Sequence, residues 1–552
     1  MIKKKGIWYT AKYYNIIPLL LLGIILFLLN EPIIDLIISV IGLNTWKELE
    51  VPTILLLKTS FFVIYLIVLV LNFRNKTYTY KTGRNYPKDN SKYRRGYYSL
   101  LEYYENAEPH KLDLLQFDEK NWRDTTGIIF GRYNKQLIFI PSNSECNIAI
   151  FGPPGSGKTS GPAIINAMQF GGSVLAVDIK GDLYNYVSQN SNRKILRFCP
   201  DAPDALNVSC RFDPFANINK MTETDKKLYI ESMATVLVKE DGDSGDNYFV
   251  SRARKIFQGI TYLLMENNPN ISFPEVIHSI LNGNIFEFVK AAINGKSIPA
   301  KEYLASFYGN NEKNISGAYD ALTTALVTFS NPILDQLLSN KYYNAESDIQ
   351  SKTPIISIDK LEQGYDIYLQ IAQEHLEAYA PLFTLIIQSF STAFTKRPDS
   401  STGINNRPIL MLLDEFPQLT FSQTLINTNL STLRSKSVII MMIQQNLSQL
   451  ESKYKPTGAR SILGNCNYQI ILGSNDINSS KVYSDTFGYK KVLKQSNSET
   501  KSQNNSSGWS IQESVEKVFP PEYFGDLSFR SSMIVYFKGK YAELTKLNCY
   551  KE

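Results

Sequence analysis

Apolar residues fall along this chain in three rhythms, and each predicts a different kind of element. In residues 16–29 and 51–73 they are nearly continuous, broken by Pro18 and Gly23 in the first run and by Pro52, Lys58 and Asn72 in the second. Runs that approach about 20 residues predict membrane-spanning helices. From 219 to 348 apolar positions recur three and four apart, most plainly in 225–238 and 251–264, which predicts amphipathic helices. Short apolar runs at 127–131, 137–140, 147–151, 173–178, 353–358, 365–369, 408–413 and 438–443 predict strands of a sheet covered on both faces.

The two long runs carry an orientation. Lys3, Lys4, Lys5 and Lys12 precede the first, and Arg74, Lys76, Lys81 and Arg84 follow the second. The connector holds Glu31, Asp35, Glu48 and Glu50 against Lys47. Cations gather on the cytoplasmic side of spans, so both termini are expected there, in a multi-pass protein of the inner (plasma) membrane. No small-residue cleavage site ends the first run, which argues against a removed leader. The stretch 33–43 is expected to be a short external amphipathic helix, and the Tyr, Lys and Arg mixture of 74–125 a juxtamembrane linker.

Chemistry enters at Gly152-Pro153-Pro154-Gly155-Ser156-Gly157-Lys158-Thr159-Ser160, which directly follows the strand predicted at 147–151. A strand, then G-x-x-x-x-G-K-[ST], then a helix is a phosphate loop. Its glycines let successive N–H groups face one anion, and the helix adds its positive end. ATP is the expected ligand, with Lys158 on the β- and γ-phosphates and the Thr159 hydroxyl on Mg²⁺.

A second site element is the run 408–413, which ends in Asp414-Glu415. Carboxylates at the C-terminal edge of a buried parallel strand sit where ligands bind in open α/β sheets. Asp414 is expected to hold Mg²⁺, and Glu415 to polarise the attacking water. Gln445, at the tip of the next apolar run, is the expected sensor of the γ-phosphate. Far more chain separates Lys158 from Asp414 than one sheet needs, so an all-helical domain is inserted between them. The expected division is an anchor at 1–80, a first nucleotide-domain segment at 81–218, the helical domain at 219–350 and a second nucleotide-domain segment at 351–552. Residues 494–510, rich in Ser, Asn, Gln and Lys, read as a mobile loop.

Composition narrows this picture rather than redirecting it. At 552 residues and 43% hydrophobic content there is room for several cores, and Lys+Arg 58 against Asp+Glu 52 is too even to imply nucleic-acid binding by charge alone. The five cysteines show neither C-x-x-C nor finger spacing, and the three histidines form no H-E-x-x-H. Disulfide scaffolds, zinc sites and metalloprotease chemistry are therefore excluded. Free buried thiols are expected instead.

Taken in order, these pieces resemble the type IV secretion coupling proteins, the TraG-type membrane ATPases of conjugation, whose core is similar to FtsK and HerA motors. The residues that carry the resemblance are Gly127-Ile-Ile-Phe-Gly-Arg132, the phosphate loop, Gly172-Ser-Val-Leu-Ala-Val-Asp-Ile-Lys-Gly-Asp182, Arg211-Phe-Asp-Pro-Phe215, Leu413-Asp-Glu-Phe416 and the segment from Gln445 to Tyr454. The Asp-x-Lys-Gly-acid element is the most specific of them. The resemblance implies a RecA-like α/β core and a homo-hexamer on the membrane that hydrolyses ATP between subunits. It also implies delivery of relaxase-bound single-stranded DNA, or of protein effectors, to a type IV secretion channel. Arg434 matches an arginine finger that reaches the neighbouring subunit, with Arg460 as a competitor. Asp182 stands where Glu is commoner, and Asp213-Pro214 where Asn-Pro is frequent. A coupling ATPase for protein cargo alone is one alternative. An FtsK-like segregation motor is another, and it would want a winged-helix pattern after 525, which is absent from the sequence.

Overall fold

The computed structural model describes residues 126–133, 136–239, 247–309, 312–339, 354–402, 406–419, 421, 430–500, 506–537 and 540–550. The two predicted membrane spans, the external helix and the linker lie outside the described residues. Among the described residues no helix is long and apolar enough to cross a membrane.

An eleven-stranded sheet organises the described chain. Its strands are β1 (Ile128–Tyr133), β2 (Gln136–Ile140), β3 (Asn147–Phe151), β4 (Ser173–Ile179), β5 (Lys194–Phe198), β6 (Tyr365–Ile371), β7 (Ile409–Leu413), β8 (Val438–Gln444) and β9 (Tyr468–Ile471), with two later strands at Ser532–Phe537 and Lys540–Thr545. Seven run parallel in the order β9-β3-β8-β7-β4-β6-β5. The two late strands, β1 and β2 extend the β9 edge in antiparallel pairing.

Every residue of β3, β4, β7 and β8 is buried. A parallel sheet has helices on both faces, so its inner strands can be apolar throughout instead of alternating. β3 and β4 are joined by a single helix yet lie three positions apart, because β8 and β7 come in between from much later in the sequence. The C-terminal ends of β3, β8, β7 and β4 therefore line up along one edge, next to the point where strand order reverses. In open α/β sheets such an edge is the ligand crevice.

Between β5 and β6 the described residues contain no strand of the sheet, only helices, from Glu223–Leu237 to Pro332–Leu337. Thr222 opens the first of them, its side chain accepting from Asp225 N, with Glu223 and Asp225 favourably placed in the first turn. Ser272 and Glu275 form a capping box at Phe273–Asn282.

Two sequence expectations need correction. The strand expected at 353–358 reduces to one bridge, Ile355 to Arg211, after which Ile358–Glu362 turns helical. Pro354 has no N–H to give a ladder, although its carbonyl accepts from Arg211 N at 3.0 Å. The expected loop at 494–510 falls largely within a two-stranded antiparallel ribbon, Tyr489–Thr500 with Ser506–Lys517. The ribbon is a separate sheet held by backbone pairing, so the alternation that betrays a half-buried strand is not required of it. All five cysteines are buried and none forms a disulfide.

Candidate nucleotide site

β3 ends at Phe151, and the loop begins where Gly152 N donates to the β8 carbonyl of Gln444 at 3.2 Å. Gly155 and Gly157 then take φ of +77° and +92°, conformations that side chains with a Cβ rarely adopt. The helix behind the loop opens with a wide turn, Thr159–Ala163, before Ile164–Gln169 becomes regular. Pro162 is the cause. It has no N–H for the Lys158 carbonyl four residues back, so that carbonyl accepts from Ala163 N at 3.2 Å. Asn166 fastens this helix to β1, accepting from Ile129 N at 2.7 Å and donating to Ile129 O at 2.9 Å.

Lys158 is nearly buried, and its Nζ donates to Gly152 O at 2.6 Å and Pro153 O at 3.2 Å. Burial lowers its pKa, an effect opposed by the charges of Glu415 and Asp414. Those two acids follow β7. Asp414 is 8% exposed, and burial first, then repulsion from Glu415 and Asp178, pushes its carboxyl up to about 7. Glu415 occupies the left-handed region at φ +48°, an uncommon place for a residue with a side chain. Its backbone N–H donates to Asp414 Oδ1 at 3.1 Å. Gln445, one residue past β8, donates from Nε2 to Glu415 Oε1 at 3.3 Å. Lys158, Asp414, Glu415 and Gln445 thus converge on one sheet edge.

Two further residues belong to this edge. Asp178, near the end of β4, accepts from Leu183 N at 3.3 Å and Tyr184 N at 2.8 Å, and burial raises its carboxyl to about 6. It caps the helix Asp182–Asn190 while adding a third acid beside Asp414. Lys180 has φ +98°, ahead of Gly181 at +82°, and its charge is felt by Lys158. The sequence signal for both was the Asp-x-Lys-Gly-acid element, which marks a tight turn at a strand tip but assigns no roles.

Arg434 lies elsewhere. It sits in the 3-10 turn Leu433–Lys436 ahead of β8, and its Nη1 donates to Asn467 Oδ1 at 3.4 Å. Asn467 Oδ1 also accepts from Asn147 N at 3.2 Å, so Arg434 is at the start of β3 while the phosphate loop is at its end. Arg460 lines the same groove of about 670 Å³ as Arg434, together with Glu451. Neither arginine is brought to the phosphate loop of its own chain.

The residues suit a nucleotide with Mg²⁺. Ser156 Oγ is buried inside the loop with no partner. Asp414, Glu415 and Asp178 concentrate negative charge that a divalent cation would neutralise, and Thr159 opens the helix at the loop. Mg²⁺ is commonly held through one or two protein oxygens with water and substrate oxygens completing the shell, which Thr159 and Asp414 could supply.

A phosphate loop after β3, an acid pair after β7 and an intervening β8 that offers a glutamine define a RecA-like phosphate-loop nucleotide-binding core. The chain belongs to the type IV secretory system conjugative DNA transfer family, whose model matches residues 113–551. It is a type IV coupling protein. The VirD4 protein of Rhizobium rhizogenes is 23% identical over 359 residues, covering 63% of this chain and 51% of that protein. The conjugal transfer protein TraG of Escherichia coli is 19% identical over 400 residues, covering 68% and 59%. The chain thus spans about half the length of the VirD4 relatives it matches. Among solved structures, the unbound bacterial conjugative coupling protein TrwBdeltaN70 has a similar fold, with a TM-score of 0.58 at 15% identity over 80% of this chain and 91% of that one. TrwB in complex with ADP and Mg²⁺ aligns with a TM-score of 0.53 at 16% identity over 74% of this chain and 86% of that one.

Proposed function

We propose that this protein is a membrane-anchored ATPase that passes relaxase-bound single-stranded DNA to a type IV secretion channel, working as a hexameric ring. The observation that carries the reading is the convergence of Lys158, Asp414, Glu415 and Gln445 at the edge that follows the phosphate loop. Family membership and the nucleotide complexes of TrwB support it.

In this reading phosphate oxygens take over the Lys158 ammonium from the carbonyls of Gly152 and Pro153, and the Ser156 hydroxyl gains a partner. Thr159 and Asp414 hold Mg²⁺, which supplies charge neutralisation for the transferring phosphoryl group. Glu415 orients and deprotonates the attacking water, and Gln445 keeps that carboxylate aimed. Arg434 completes the site of the next subunit, since its own loop lies at the far end of β3. The paired runs at 16–29 and 51–73 anchor the ring in the plasma membrane with the described residues on its cytoplasmic side.

The test is ATP hydrolysis by the detergent-solubilised full chain with and without single-stranded DNA. Stimulation by DNA, lost in Lys158→Ala, is the expected result. Equal turnover in Lys158→Ala would overturn the nucleotide assignment, and turnover indifferent to DNA would move the cargo from DNA to protein.

A further inference from the structure

A second cavity, of about 340 Å³, lies where the chain leaves the core for the helical insertion and where it returns. Phe212, Pro214 and Met221 line it from the outgoing segment, Ile356 from the returning one, Phe390 from the helix Leu376–Thr395 and Tyr229 from the first insertion helix. The walls are largely apolar, and their main hydroxyl is satisfied, because Tyr229 OH pairs with Pro214 O at 2.9 Å and Ser389 Oγ at 2.7 Å.

Asp213 differs from the rest of the lining. It is 7% exposed, and its Oδ1 accepts from Phe215 N at 2.8 Å. Among the described residues no cation pairs with it. Two lysines reach the lining, and neither bonds to Asp213: Lys396 pairs with Asp225 at 3.2 Å, and Lys220 donates to Asn217 Oδ1, also in the lining, at 3.4 Å. Burial accordingly raises the Asp213 carboxyl to about 6, which leaves it ionised at neutral pH. An ionised carboxylate without a counter-charge in apolar surroundings is costly, and a cation that enters removes that cost while its carbon skeleton covers the walls.

We propose that this cavity is a binding site for a small organic cation, an ammonium group carried on an apolar body. The ammonium sits against Asp213 and the body among Phe212, Met221 and Phe390. A volume of 340 Å³ is near the lower end of the range of about 300–1,000 Å³ found for small-molecule sites, which limits the ligand to a compact amine. Because both connecting segments contribute walls, an occupant braces the junction between core and insertion. This site is independent of the nucleotide reading.

The probe is 2-phenylethylammonium, titrated into the full chain at pH 7.5 and followed by saturation-transfer NMR and calorimetry. Saturable binding with a Kd of about 1 mM or tighter is expected. Asp213→Asn should weaken it roughly tenfold or more, as should lowering the pH to about 5, a unit below the carboxyl's value. Ala393→Leu narrows the cavity without touching the charge and should weaken binding roughly tenfold or more, which gives a second test if Asp213→Asn fails to fold. The neutral isostere 2-phenylethanol should bind roughly tenfold more weakly than the amine. No saturable binding to the unaltered protein, equal affinity of amine and alcohol, or unchanged affinity in either folded variant would overturn the proposal.

Discussion

Gln445 Nε2 donates to Glu415 Oε1 at 3.3 Å, tying the tip of β8 to the turn that follows β7. Because Glu415 is held at a left-handed φ of +48°, this bond comes on top of a backbone already bent to present the carboxylate. Glu415→Gln should lower hydrolysis by about 10² to 10⁴, the usual worth of a general base, with nucleotide affinity retained. Gln445→Ala removes the aiming contact and leaves the general base in place, so its kcat should fall by less than that while KM stays near the original value. Steady-state rates beside fluorescent-nucleotide titrations separate the two effects. Full activity in Glu415→Gln would remove it from the chemistry.

The acid cluster makes stability depend on pH with a definite sign. Asp414 rises from an ordinary 3.8 to about 7 in the folded protein. Between those values the folded chain holds a proton that the unfolded chain has released, so stability falls as pH climbs through the window and the penalty is complete above it. Asp178, raised to about 6, adds the same sign over the lower part. Thermal unfolding without nucleotide should therefore show a Tm that declines from about pH 5 to about pH 8, and Asp414→Asn should flatten the slope. Mg²⁺ favours the ionised carboxylate, so it should restore more stability at the alkaline end. A Tm that rises with pH in the unaltered protein and is insensitive to Asp414→Asn would contradict this account.

How much could be read ahead of the structure depends on what each residue answers to. β3, β4, β7 and β8 were legible because strands buried on both faces are apolar along most of their length, and the loop because all its fixed positions are filled between a strand and a helix. Strand order was not legible. Nothing in 409–413 or 438–444 states that these strands enter between β3 and β4, since that is decided by pairing partners far away in sequence. The strands at Ser532–Phe537 and Lys540–Thr545 also went unplaced, the second because it mixes polar and apolar residues, the first although its run Met533–Phe537 is apolar. At the site, Lys158, Asp414, Glu415 and Gln445 were named from motif and strand-tip position. Asp178 and Lys180 escaped a role because a helix-capping acid and a turn lysine look ordinary until the fold sets them beside Asp414 and Lys158.

The two inner glycines of the loop should respond differently to a methyl group. At Gly155, with φ +77°, a Cβ meets nothing within 4 Å, so Gly155→Ala bears a backbone cost of about 1–2 kcal/mol and little else. At Gly157, with φ +92°, the added Cβ lies 3.8 Å from Ser160 Oγ and farther from the left-handed minimum. Gly157→Ala should therefore weaken nucleotide binding more than Gly155→Ala, by roughly tenfold or more over the unaltered loop. Calorimetric titration of ATP into each variant decides this. Reversed order would mean that the open space beside Gly155 is needed by the phosphates themselves.

Arg434 and the phosphate loop are separated by the length of β3, about 16 Å for five residues, because the arginine pairs with Asn467 near Asn147 and the loop starts after Phe151. At that distance Arg434 cannot serve its own site, so a finger role for it requires a neighbouring subunit. Such a contact is worth about 10³ to 10⁵ in rate. Arg434→Ala and Glu415→Gln should each be nearly inactive alone. Mixed in one preparation, they should regain hydrolysis, because some interfaces then combine an intact Arg434 from one subunit with an intact Glu415 from the next. Recovery should peak near equal proportions and vanish when the double variant replaces either partner. If no ratio recovers activity, Arg434 is not the finger. The same mixing with Arg460→Ala, whose side chain lines the same groove, then asks whether the second arginine takes that part.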